Sequence, residues 1–250
     1  MRNISLRELL EAGCHFGHQV SRWNPKAAEF IYGAREGIHI IDLVKTKKAL
    51  DEAGEFLKNQ AALGKSIIFV GTKRQAKTFL KEEALRCNVF YMSERWIGGL
   101  ITNWEEVKKN LSRIKKLEEE IKNVEGIFTK AEVVKKQVKL QRLLKFYGGI
   151  KDLQNPPDVL FVVDVKREQN AVHEGQKTQT PVVAIVDTNS DPSWVTFAIP
   201  ANDDAAGSLK LIIGAVADAV LEGKEIQEKK MQEKKKVEEK EEKKKSEEVK

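Results

Sequence analysis

The segment KSIIFVGTKRQA, residues 65–76, decides the fold. Its unbroken apolar run Ile67–Val70 is short and rich in β-branched and aromatic residues, which predicts a strand buried on both faces. Strands of this kind belong to parallel sheets that are covered by helices. Gly71 ends the strand, and Thr72 is predicted to cap the helix that follows.

Two later runs repeat this pattern, and both end in aspartate. Residues 159–164 read VLFVVD and residues 182–187 read VVAIVD. Ligands of an open α/β sheet gather at the carboxyl ends of its strands. The turn GTKR at 71–74 lies at such an end, so this edge is the first place to look for function.

The remaining pattern completes an α/β core. A capping box at Ser5 and Glu8 starts a short helix, and runs around 30–32 and 38–41 predict a β-hairpin. The other predicted elements are a helix at 43–62, a strand at 89–92, a helix at 168–176, a strand at 195–198 and a closing helix capped by Asn202 or Asp203.

Between 104 and 147 the pattern changes to apolar residues spaced by threes and fours, with a break at 125–126. This spacing predicts an antiparallel coiled-coil hairpin whose narrow seam is self-contained. Residues 103–147 carry 12 Lys and Arg against 7 Asp and Glu. Most of the hairpin surface is therefore expected to face solvent or a polyanionic partner.

Residues 224–250 are nearly all Lys and Glu, with 11 Lys against 9 Glu and no apolar stripe. Such a tail is disordered or a lone solvated helix. The predicted organisation is an α/β core at 1–103 and 148–223, a hairpin insertion at 104–147 and a tail at 224–250.

The chain has 250 residues and a formal charge of +6, most of which lies in the hairpin and the tail. The two cysteines, Cys14 and Cys87, indicate a reduced, cytosolic setting rather than a disulfide framework. We expect no signal peptide and no membrane span, since no apolar run approaches the ~18 residues that a span needs.

Exposed cations and aromatic residues in the loops and on the hairpin are the candidate RNA ligands, because cations contact phosphates and aromatic rings stack on bases. These candidates are Arg22, Trp23, Lys26, Lys73, Arg74, Arg95, Trp96, Lys108, Lys109 and Arg113. The competing interpretation is core packing for the tryptophans and a solvated helix face for the hairpin lysines.

Two more specific kinds of site, a phosphate-binding loop and a metal site, receive less support from the sequence. GTKR has one glycine and lacks the G-x-x-x-x-G-K-[ST] pattern of a phosphate-binding loop. His18, Asp187, Asp191 and Asp204 are predicted to converge at the strand ends and could hold a divalent cation, although solvated or capping acids are commoner. No other cofactor is expected.

The ordered set of motifs resembles one family. The motifs are LEAG at 10–13, HFGHQ at 15–19, RWNPK at 22–26, GIHIIDL at 37–43, FVGTKR at 69–74, RWIGG at 95–99, TNW at 102–104 and DTNSDP at 187–192. From about Ile4 to Gly223 they resemble the bacterial ribosomal protein S2 family. The resemblance implies a flavodoxin-like core with an inserted coiled-coil hairpin.

The resemblance also implies a function: a structural protein of the small ribosomal subunit, in the cytoplasm, that binds rRNA between head and body and helps recruit ribosomal protein S1. Neither an enzymatic activity nor a small-molecule substrate follows from it. Two other hypotheses remain, namely an α/β enzyme acting on a phosphorylated small molecule through Lys73, and a coiled-coil adaptor that binds only proteins.

Overall fold

A computed structural model describes residues 4–122 and 129–248, with side chains described up to residue 232 except that of Lys130. Within those ranges the chain forms eight strands and seven α-helices. The strands are β1 Phe16–Gln19, β2 Ile31–Arg35, β3 Ile38–Ile41, β4 Ile67–Val70, β5 Phe90–Met92, β6 Val159–Val163, β7 Val182–Val186 and β8 Phe197–Pro200. The helices are α1 Leu6–Glu11, α2 Leu43–Ala62, α3 Lys77–Arg86, α4 Trp104–Lys122, α5 Lys130–Tyr147, α6 Gln169–Thr178 and α7 Ala206–Glu248.

Five strands form a parallel sheet in the order β5-β4-β6-β7-β8. Numbered along the chain, this is the 2-1-3-4-5 order of flavodoxin-like folds. The predicted α/β class with a parallel sheet flanked by helices is therefore confirmed. The order reverses between β4 and β6, which is where such folds place their ligand crevice.

Alternate side chains of the central strands enter two apolar clusters, one on each face of the sheet. Phe69 and Phe161 meet edge to face at 5.0 Å in the first cluster, against helices α2, α3 and α7. Ile68 and Val162 belong to the second, together with Trp96. Gly71 is required where β4 ends, because a Cβ there would lie 2.7 Å from Leu80 Cδ1.

A second, antiparallel sheet has the order β1-β3-β2. The β2-β3 hairpin was predicted, and its turn places Glu36 and Gly37 at positive φ. Strand β1 was not predicted, because its residues FGHQ carry no apolar alternation. Glycine is needed at position 17 of this strand, because a Cβ there would lie 2.8 Å from Thr188 Cγ2 in a neighbouring loop.

Several predictions at the ends of elements are wrong. Helix α7 begins at Ala206, so neither Asn202 nor Asp203 is its N-cap residue. The last strand is β8 at Phe197–Pro200 rather than 195–198. Helix α3 begins at Lys77, and Thr72 does not cap it. The Thr72 backbone N–H donates instead to Glu168 Oε1 at 2.9 Å, because that buried carboxylate needs donors from the neighbouring strand end.

Helices α4 and α5 pack against each other through the predicted residues, with Val107, Leu111, Ile114 and Leu117 buried on α4. The seam is not self-contained, since the first three of these join the apolar cluster of the sheet. The predicted break at 125–126 lies outside the described residues, and the division into domains stays a prediction.

Helix α7 runs from the core to Glu248 without interruption at residue 224. Gly223 packs against α2, where a Cβ would lie 2.3 Å from the Lys58 carbonyl oxygen. Among residues 4–122 and 129–248, no helix combines the length and the apolar character needed to cross a membrane.

Candidate nucleic-acid interface

The carboxyl ends of the five parallel strands meet at one edge, which we call the strand-end edge. It consists of the loops 71–76, 93–103, 164–168, 187–196 and 201–205 that follow β4 to β8. The small sheet adjoins it, since the His18 N–H donates to Thr188 Oγ1 at 2.9 Å and the Asn24 N–H donates to the Thr188 carbonyl at 2.8 Å. These contacts bring the segment 22–26 beside the edge.

Lys73 lies inside the strand-end edge and is buried. Its Nζ is 3.0 Å from Asp164 Oδ2, 2.6 Å from Asp203 Oδ1 and 2.7 Å from Asp204 Oδ1. Burial opposes the charged ammonium, yet these carboxylates, Asp203 foremost, raise the pKa of Lys73 above its ordinary value. An ammonium so enclosed does not face a phosphate, so the geometry argues against the predicted contact.

The predicted cation site is only partly assembled. His18 Nδ1 lies 3.1 Å from Asp187 Oδ1 and its Nε2 lies 3.5 Å from Asp204 Oδ2. Asp191 is drawn away by an ion pair of 2.7 Å with Lys26 Nζ. The compact set is His18, Asp203 and Asp204, whose ligand atoms lie within 4.8 Å of one another. A bound cation at this set of residues stays a prediction. It would have to compete with the Lys73 ammonium, which already contacts Asp203 and Asp204.

Asp203 makes the folded state sensitive to pH. Burial, reinforced by Asp164 and Asp187, raises the pKa of Asp203 to about 7. An acid whose pKa is raised by folding contributes stability below its unfolded pKa and loses that contribution as the pH rises through the folded pKa. His18, whose pKa is raised mainly by its hydrogen bond to Asp187, acts in the same direction, whereas the lowered pKa of His15 opposes it.

We therefore compare the chain with Asp203→Asn, which leaves both histidines in place. Between pH 5 and pH 8 the unsubstituted chain is expected to lose about 1–3 kcal/mol more unfolding free energy than the variant, since each pKa unit corresponds to about 1.4 kcal/mol. Urea unfolding at several pH values measures this difference. Parallel pH profiles for the two proteins would contradict the assignment.

The segment 22–26 presents cations and an aromatic ring to solvent. Arg22 is exposed, and Trp23 is 40% exposed with its ring 5.4 Å from the imidazole of His39. His39 is buried, and neither of its ring nitrogens has a hydrogen-bond partner among the described residues. Lys26 is tied to Asp191, so its charge is partly neutralised.

Trp96 is buried and serves the fold rather than stacking. Its Nε1–H donates to Glu174 Oε1 at 2.9 Å. The same carboxylate accepts the backbone N–H groups of Gly99 at 2.7 Å, Ile101 at 3.1 Å and Thr102 at 3.3 Å. Glu174 thus fixes the loop that carries the exposed Arg95. The sequence did not single it out, because it is one acid on an amphipathic helix.

The predicted cations on the hairpin are all exposed. Lys109 pairs with Glu106 on the same helix at 2.5 Å, whereas Arg113 lines a groove between α4 and α5. The candidates therefore fall into two groups, one at the strand-end edge and one on the hairpin.

Known proteins were compared with the chain as a whole. Residues 9–223 match the family described as Ribosomal protein S2. The curated Small ribosomal subunit protein uS2 of Dictyoglomus thermophilum is 50% identical over 234 residues, which cover 92% of this chain and 94% of the relative. The protein of the same name from Koribacter versatilis is 50% identical over 230 residues, covering 92% of this chain and 76% of the relative.

Proposed function

The chain belongs to the ribosomal protein S2 family, and from that membership we propose that it binds rRNA between the head and the body of the small subunit, in support of translation. Family membership makes it a structural ribosomal protein that acts in the cytoplasm. Its proposed role is positioning: cations neutralise phosphates while the folded surface selects the shape of the RNA.

One observation carries the proposal. Arg22, Arg74 and Arg95 are exposed around the strand-end edge, and none of them forms an ion pair with another described residue. Lys73, only one residue before Arg74, is by contrast buried among carboxylates. Lys73 thus contacts the aspartates of the edge, while the three arginines remain available to a phosphate partner.

The enzyme hypothesis relied on Lys73 and the strand-end aspartates. These groups are engaged with one another across the crevice between β4 and β6, where a flavodoxin-like fold would bind its substrate. Together with the structural role of the family, this favours RNA binding over phosphate-ester chemistry. A coiled-coil adaptor that binds only proteins would not need exposed arginines at the strand-end edge.

A second part of the proposal is that the chain helps dock ribosomal protein S1, as the family resemblance implies. The small sheet supports this part, since Phe16, Tyr32 and Ile38 are 48%, 81% and 37% exposed. Exposed apolar side chains in one region are typical of protein contacts rather than of phosphate contacts. Loss of S1 binding on Phe16→Ser with Tyr32→Ser, with rRNA binding retained, tests it.

The central test is the salt dependence of binding to small-subunit rRNA. Each phosphate contact contributes about 0.7–0.9 to the slope of log affinity against log salt. Replacing Arg22, Arg74 and Arg95 by Ala is therefore expected to reduce the magnitude of that slope by about 2–3. A filter-binding series across salt concentrations measures it.

The matched control replaces three exposed lysines outside the strand-end edge, Lys48, Lys81 and Lys177, by Ala. It removes the same charge and is expected to change the slope much less. An unsubstituted chain that fails to bind rRNA, or a control as weak as the arginine variant, would refute the proposal.

A further inference from the structure

A groove of about 380 Å³ runs between the two helices of the hairpin. It is lined by Arg113, Lys116, Leu117 and Glu120 from α4 and by Lys135, Lys136 and Lys139 from α5. We call it the hairpin groove. Five cationic side chains therefore face one carboxylate in a confined space.

Little of this positive charge is neutralised within the protein. Lys136 Nζ pairs with Glu120 Oε2 at 2.8 Å. Among the side chains of residues 4–122, 129 and 131–232, no ion pair involves Arg113, Lys116, Lys135 or Lys139. A phosphate entering the groove would thus meet cations that are not already committed to carboxylates.

Repulsion between neighbouring cations of the groove works against the stability of the two helices. Arg113 and Lys116 are three residues apart on α4, and Lys135 and Lys139 are four residues apart on α5. Like charges at these spacings are neighbours on a helix and destabilise it by a few tenths of a kcal/mol per pair. The excess of cations over carboxylates in the groove is therefore not explained by a gain in helix stability, which favours a role in binding an anionic partner.

Glu120 interacts with cations of both helices. The pKa of its carboxyl is lowered, first by the hydrogen bond from Lys136 and also by the charges of Lys116 and Lys139. Cations from both helices therefore act on the same point. Of the charged side chains that line the groove, Glu120 alone is negative.

We propose that the hairpin groove binds consecutive phosphates of one RNA strand, as a contact separate from the strand-end edge. The inference rests on the proposed rRNA binding and adds a second RNA-binding surface to it. Lysine is depleted from protein–protein interfaces, and the apolar floor of the groove, Leu117, is only 7% exposed. An acidic protein segment would find little apolar surface there, whereas a phosphate strand needs only the cations.

The hairpin groove does not include two of the hairpin lysines that were predicted from the sequence to contact RNA. Lys108 and Lys109 are outside the groove, and Lys109 is engaged by Glu106. Of the predicted hairpin cations, Arg113 belongs to the groove. The structure adds Lys116, Lys135 and Lys139, which only the pairing of the two helices brings together.

The test is the triple variant Lys116→Ala, Lys135→Ala and Lys139→Ala, measured by filter binding to small-subunit rRNA at several salt concentrations. We expect the magnitude of the salt slope to fall by about 2–3 and the affinity to fall at least about tenfold near 0.1 M salt. The thermal midpoint should change little, because the repulsion that is removed and the attraction to Glu120 that is lost are both small at exposed positions.

The matched control is Lys115→Ala, Lys122→Ala and Lys145→Ala, which removes three exposed cations from the same helices outside the groove. Its slope should change by less than half as much. If the unsubstituted chain binds RNA and the groove variant keeps its slope, the inference is overturned while the proposed function survives. Equal losses in both variants would also overturn it, as would a groove variant that keeps RNA binding but loses a ribosomal protein partner.

Discussion

Replacement of Lys73 by Met is expected to lower the free energy of unfolding by about 3–5 kcal/mol, because breaking a buried ion-pair network leaves its other charges uncompensated. The ammonium is the shared partner of Asp164, Asp203 and Asp204, and Asp203 is fully buried. The network joins the ends of β4 and β6 to the loop after β8, so its loss loosens the crevice of the sheet.

Urea unfolding at pH 8 measures this loss, and two controls make it specific. Arg74→Met removes the neighbouring exposed cation and should change stability by no more than about 0.5 kcal/mol. Asp203→Asn added to Lys73→Met should recover part of the stability, since it removes a charge that Lys73 no longer balances. A loss below about 1 kcal/mol for Lys73→Met would contradict the network.

The same pair of variants separates a structural lysine from a phosphate ligand. At a temperature where both variants are folded, Lys73→Met should leave the salt slope of rRNA binding unchanged. Arg74→Met should reduce its magnitude by about 0.7–0.9. If Lys73→Met reduces the slope instead, the sequence-based assignment of Lys73 to RNA is restored.

The central strands were predictable because burial on both faces demands unbroken apolar runs, and β4, β6 and β7 lie where those runs are. Strand order is a property of the folded sheet, so it came from the family resemblance and not from periodicity. Strand β1 was missed because it lies in a small, partly exposed sheet, where backbone pairing to β3 and a close approach to Thr188 hold it without an apolar face.

The site was less predictable than the fold, because the charge state of a surface depends on partners far away in sequence. Nothing near Lys73 in the sequence reveals that Asp203, 130 residues later, neutralises it. Arg74, one position further on, carries the same sign of charge and is exposed. Trp96 shows the same limit, since its partner Glu174 lies 78 residues away.

Glu174→Ala is expected to cost about 3 kcal/mol or more of unfolding free energy. The carboxylate accepts hydrogen bonds from the Trp96 indole and from the backbone of Gly99, Ile101 and Thr102. Hydrogen bonds to a charged group contribute about 1.5–3 kcal/mol each, and donors left without a partner cost further desolvation. Glu174→Gln should cost less, because its amide retains one oxygen that can accept.

The expected signature is local as well as global. In Glu174→Ala, hydrogen exchange at the amides of Gly99, Ile101 and Thr102 should accelerate, while the amides of β6 should follow only the change in global stability. Lys177→Ala, an exposed change on the same helix α6, should leave those three amides protected. Because the loop also carries Arg95, the Glu174 variant should lose rRNA affinity without losing any cation. Unchanged exchange and unchanged affinity would mean that the loop holds its shape without Glu174, and that Arg95 is positioned by other contacts.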